Sequence, residues 1–320
     1  MKPLLLFAAL LFSAASAQVR SLSTPVPVLT LSAPVGTSLE LVTTTTSRTT
    51  FSNVRVTALP GSDRSADELA EIRKAVTAGI GPGARTTASG KLLCRVTGRA
   101  ADGSVTLLTS TIQSEPGEMP ISLEITQTVA RDGRISGLKF GSDNEILNAA
   151  LARYTADRLE QLADQNGYNF SGVYGQPLTP GQAYSQNHKM TISGVLSGLF
   201  SAFASQAELP ELFSKVQASP LSATTITTYG GLNAQGLHAF SQNSKLSPWT
   251  VETGGVGEMS SFSIDLTGAR VRGTHTYRAD GLPGPSTQHT HLVMNLAIET
   301  EGVQVKVTMT ANQTTIAKLP

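Results

Sequence analysis

The chain reads as an α+β fold rich in strands: one large bent antiparallel sheet, or two half-barrels, with covering helices. Apolar and polar residues alternate through most of its length, which is the strand period. Gly-containing turn pairs separate these runs at hairpin spacing. The 320 residues include 33 Ser and 38 Thr but only 15% charged residues. The surface must therefore be built largely from hydroxyls, and β-branched Thr suits an exposed sheet face.

Residues 1–17 carry one cation, Lys2, then an apolar run from Leu4 to Phe12 and the small residues Ala14, Ala15, Ser16 and Ala17. A short basic start, an apolar stretch too brief to span a bilayer and an A-x-A-like exit predict a cleaved secretory signal of bacterial type. Cleavage after Ala17 leaves a chain starting at Gln18, periplasmic or secreted, with no transmembrane segment. It also leaves 23 Lys+Arg, one fewer than the 24 of the full chain, against 23 Asp+Glu. A formally neutral protein has no general attraction for nucleic acid or anionic lipid.

Residues 18–35 show no helical period and read as an extended leader. A first β-rich unit is expected over residues 36–167, opening with a long Thr-rich strand or hairpin over residues 36–57. Ser65 and Glu68 form a capping box ahead of Leu69, Ile72 and Val76 at helical spacing, with Gly79 as the stop. Strand pairs follow at 91–97 with 104–112, through Asp102-Gly103, and at 121–129 with 135–140, through Asp132-Gly133. Ser142 and Glu145 then cap a second helix that ends at Gly167.

Residues 168–183, rich in Gly and Pro, read as a linker. A second β-rich unit, over 184–320, continues the first sheet or forms its own. Its end is the clearest part of the chain. Leu292, Met294, Leu296 and Ile298 share one face, as do Val303, Val305, Val307 and Met309. A turn at Glu301-Gly302 that pairs Thr300 with Val303 brings both apolar faces to the same side. Gly98 and Gly103 recur at an offset of 133 as Gly231 and Gly236, which suggests internal duplication.

Few residues point to chemistry. Cys94, the only cysteine, excludes an intramolecular disulfide and lies on the strand face of Leu92 and Val96, as a small buried hydrophobe does. No Walker loop, G-x-S-x-G elbow or H-E-x-x-H stands in the chain. His289 and His291 share a strand face, and His275 lies on the preceding strand. If these strands bring the three together, they form a candidate zinc or copper site, binding or hydrolytic; the plainer reading is solvated or hydrogen-bonded strand positions with no cofactor. Arg270, Arg272 and Arg278 form a basic strand face, suited to a lipid headgroup or an acidic partner as well as to solvent. Val195, Leu196, Leu199, Phe200 and Phe203 lie at helical spacing among uncharged Ser, Gly and Ala, which suits a lid over an apolar cavity or ordinary packing on a sheet.

The export signal, the strand runs after residue 36 and the interrupting amphipathic helices make the chain similar in architecture to exported lipoprotein-carrier proteins of the LolA type. That resemblance implies a bent antiparallel half-barrel whose concave apolar face ferries acyl chains; it assigns no site residue. The expected function is non-enzymatic: an envelope protein that holds a lipid, another apolar small molecule or a partner segment on a curved sheet. A structural or adhesive envelope role, or a metal protein built on the histidines, is the alternative.

Overall fold

Pairing between the two ends of the chain organises the molecule. The computed structural model describes residues 26–114, 121–143, 145, 148, 173–190, 216–256 and 259–320. Among them are thirteen strands and one helix. The first half supplies β1 (Ser38–Ala58), α1 (Ala66–Ile80), β2 (Ala84–Arg99), β3 (Val105–Ser114), β4 (Ile121–Val129) and β5 (Ile135–Gly141). In the second are β6 (Ala183–Met190), β7 (Val216–Ala218), β8 (Leu221–Leu232), β9 (His238–Leu246) and β10 (Trp249–Val256). Three long strands close it: β11 (Met259–Tyr277), β12 (Pro283–Thr300) and β13 (Val303–Lys318).

These strands make one antiparallel sheet in the order β5-β4-β3-β2-β1-β13-β12-β11-β9-β8-β6, with β10 beside the first part of β11 and β7 beside β10. Because β1 pairs with β13, the sheet runs unbroken from one half into the other. The final hairpin has the predicted register, Thr300 opposite Val303, Ile298 opposite Val305 and Leu296 opposite Val307. The Thr-rich stretch is one strand and not a hairpin. A register shift between Ser52 and Arg55 bends it, with Asn53 at φ 53°.

Four hairpins share one turn. In each, the first residue's N–H donates to the carbonyl of the residue four positions on, and the Gly N–H donates back: Ala100 with Ser104, Ala130 with Arg134, Asn233 with Leu237 and Arg278 with Leu282. Their glycines, Gly103, Gly133, Gly236 and Gly281, have φ between 73° and 84°, where a Cβ is costly. In three turns Asp102, Asp132 or Asp280 accepts from the backbone N–H two residues on; in the fourth, Asn233 accepts from Gln235 and Leu237. The offset of 133 noted above thus corresponds to a shared geometry, including a register shift at Gly98 and again at Gly231. Strand direction puts all four turns at the same end of the sheet.

The main core lies at that end. Leu41, Val96, Leu107 and Val129 from the first half meet Tyr229, Phe240 and Leu282 from the second. Between them sit two segments that the sequence suggested were a leader and a linker. Leu29, Leu31 and Ala33 are at most 5% exposed, and Val173, Tyr174 and Leu178 at most 2%. The two segments bond to each other, Gly175 N–H to the Leu29 carbonyl and Leu178 N–H to that of Pro27. Each is also held by a turn or strand: the Ser32 and Ala33 N–H groups donate to the Asp280 carbonyl. Arg99 donates to the carbonyls of Leu31 and Ala33, and the Tyr174 hydroxyl to that of Gly281. Extended chain without a helical period is thus core when neighbours pair with its backbone hydrogen-bonding groups.

Helix α1 has the predicted capping box at Ser65 and Glu68 but runs past Gly79 to a cap at Gly81. It packs on the end of β1, and its Leu69, Ile72 and Val76 are half-buried. The second predicted helix, most of residues 142–167, lies outside the described residues.

Candidate functional site

Strand alternation gives the sheet two chemically different faces. The inner face carries the core at the turn end. At the opposite end it carries an apolar field contributed by β10 to β13. There Phe262 lies opposite Ile298, Ile264 opposite Leu296 and Leu266 opposite Met294. Met294 is in turn opposite Met309 and Leu296 opposite Val307, while Trp249 and Val251 flank Leu266 and Ile264. Val251, Leu266 and Val307 are buried, but Phe262, Ile264, Leu292, Met294, Leu296 and Met309 remain half-buried, and Ile298 is 36% exposed. None of these residues belongs to the main core cluster. Among the described residues the buried indole Nε1 of Trp249 has no hydrogen-bond partner, an unsatisfied donor at the margin of this field.

A polar belt separates field from core. The hydroxyls of Thr225 and Ser244 are buried and 2.8 Å apart, and those of Thr45 and Thr315 are 3.1 Å apart. His275, in register with Phe240 and Ser286, tops the belt. Its buried Nε2 has no partner among the described residues, and burial holds the imidazole below the usual histidine range. Cys94 is 3% exposed, and burial pushes its thiol up, so it is a packed residue of low nucleophilicity.

On the outer face stand His289 and His291. Both are exposed, bonded across to Thr314 at 3.0 Å and Asn312 at 2.8 Å. Register puts Arg272 opposite His289 and Arg270 opposite His291, whereas His275 is opposite Ser286. His275 therefore points to the other side of the sheet. The structure brings two imidazoles together and leaves the third apart, so the three-histidine metal site does not form. Among the described residues no group of three His, Cys, Asp or Glu can hold a metal ion.

The basic face is larger than Arg270 and Arg272, and it omits Arg278. A register shift after His275 carries Arg278 into the turn, where it pairs with Asp280 at 2.7 Å. In its place, Lys245 lies directly opposite Arg270; farther across the same face, Arg48 is opposite Asn312 and Arg85 opposite Arg48. Sequence reading missed these three because only strand order brings 48, 85 and 245 into line with 270. All are exposed. A shallow groove of about 400 Å³ runs beside Arg272, lined by Ile226, Thr228, Ser241 and Asn243.

Val195, Leu196, Leu199, Phe200 and Phe203 lie outside the described residues, as does the proposed signal, residues 1–17. No helix among the described residues is long and apolar enough to cross a membrane. Neither a protein-family model nor a curated protein matches the chain.

Proposed function

We propose that this is an exported, non-enzymatic carrier that holds an acyl-chain ligand against the inner face of its sheet. One observation carries the reading: a contiguous field of large apolar side chains, Phe262, Ile264, Leu292, Met294, Leu296 and Met309, stays half-buried while a separate core closes the other end. Covering it with acyl chain is favourable by about 0.8 kcal/mol per buried methylene, so a chain of ordinary length gains enough for tight binding without any catalytic group. The unpartnered Trp249 N–H supports an amphiphile, because a ligand carboxylate or ester carbonyl would supply the acceptor it lacks. The polar belt bounds the field on the core side, so a ligand's headgroup need not be driven into apolar surroundings.

The test is titration of the mature chain with a fluorescent fatty acid. Wild type should take it up saturably, and Met294→Ser with Leu296→Ser should weaken uptake at least tenfold, the loss expected for about 1.4 kcal/mol. Thermal unfolding run alongside checks that the variant is folded. No uptake by the wild type, or equal uptake by a folded variant, refutes the carrier reading.

A further inference from the structure

We infer that the outer face of the sheet docks onto an anionic phospholipid surface. Lys245, Arg270, His291, Asn312, Arg48 and Arg85 fall in one row across β9, β11, β12, β13, β1 and β2. At a strand spacing of about 4.8 Å the row spans about 24 Å. Arg272 and His289 begin the row beside it. Two pairs of full cations, Lys245 with Arg270 and Arg48 with Arg85, are directly opposed, an arrangement that weakens a sheet. None of the five cations makes an ion pair among the described residues. On β11 the carboxylate of the same face is Asp265, in the row of Asn295, about 15 Å from Arg270 along the strand. The sheet thus concentrates five unneutralised charges on one side of a chain whose formal net charge is only +1.

An external anion relieves that repulsion. Around the row stand Thr46, Thr50, Thr87, Thr224 and Thr310, with Ile226 alone beside Arg272 and, among the described residues there, no cluster of large apolar anchors of the kind that carries protein–protein affinity. A broad array of separate cations with hydroxyls between them fits mobile headgroup phosphates, each able to find its own partner, better than one shaped macromolecule. The inference does not rest on the acyl field, which faces the other way.

Cosedimentation of the mature chain with phosphatidylglycerol vesicles, against phosphatidylcholine vesicles, tests it. Binding to the anionic vesicles is expected at about 0.01 M salt and should vanish near 1 M, where the screening length falls to about 3 Å. Arg270→Gln with Arg272→Gln should weaken it roughly tenfold or more, and Arg48→Gln with Arg85→Gln similarly. A charge-matched change on the helix, Arg73→Gln with Lys74→Gln, should leave it intact. No preference for phosphatidylglycerol, equal binding by folded face variants, or binding to soluble heparin without binding to vesicles overturns the inference.

Discussion

Gly281 and Gly236 occupy the same place in two copies of one turn, yet their surroundings differ. Both have φ above 70°. A Cβ on Gly236 would meet nothing within 4 Å, whereas one on Gly281 would lie 2.3 Å from the Thr30 carbonyl oxygen and 2.8 Å from Leu31 Cα. Gly236→Ala should therefore cost only the left-handed strain, about 1–2 kcal/mol. Gly281→Ala should cost clearly more, because it also pushes residues 30–31 off the turn. Urea denaturation checks this, and equal losses contradict it. The turns at 102–103 and 132–133 were legible, since Asp-Gly marks them locally, and Gly236 only through its repeat of Gly103; the contact of Gly281 with Thr30 was not, because 251 positions separate the partners. His275 gives a second prediction at this scale. Its native value lies below the ordinary 6.5, so the unfolded chain binds the extra proton first. Its contribution to stability is complete above about pH 6.5, declines as pH falls and is gone below the depressed native value. Unfolding temperatures between about pH 7 and pH 5 should fall more steeply for wild type than for His275→Gln, whereas parallel curves sink the prediction.

Elements with a strong local pattern were read correctly. The capping box at Ser65, the hairpins at 102–103 and 132–133 and the final hairpin all stand as their residues suggested, because cap, turn and period-two alternation are each encoded within a few positions. Strands β7 and β10 escaped, one being three residues long and the other following Pro248 and ending in Gly-rich chain. The segment 26–34 misled for a different reason. It has no helical period, but Leu29, Leu31 and Ala33 alternate at the strand period, and there the backbone is bonded at both sides and those alternate side chains are buried. Leu29 is 1% exposed and its neighbour Val28 47%. Leu29→Ala should cost about 2–5 kcal/mol, and Val28→Ala less than about 0.5 kcal/mol. Guanidinium unfolding measures both; a small effect at Leu29 would mean that the segment is not part of the core.

For the whole molecule, the sheet's two faces divide the proposed work, an apolar field inward and a cationic array outward. Little of this division was legible beforehand. Whether two residues on neighbouring long strands share a face depends on the parity of the turn between them, and a single bulge reverses it. Arg270 and Arg272 were recognised as a stripe, but their alignment with Lys245, Arg48 and Arg85 needs the order β9-β11-β12-β13-β1-β2. The same parity separates His275 from His289 and His291. The apolar field was half visible, since the alternation of Leu292 to Ile298 and Val303 to Met309 was plain, whereas its incomplete burial follows only from the packed chain.

Native mass spectrometry of the protein purified from its own source tests the carrier reading most directly. The account predicts mass in excess of the chain from Gln18, removed by organic extraction and restored on adding fatty acid, with restoration lost in the Met294→Ser, Leu296→Ser variant. A bare chain that takes up no fatty acid would contradict it.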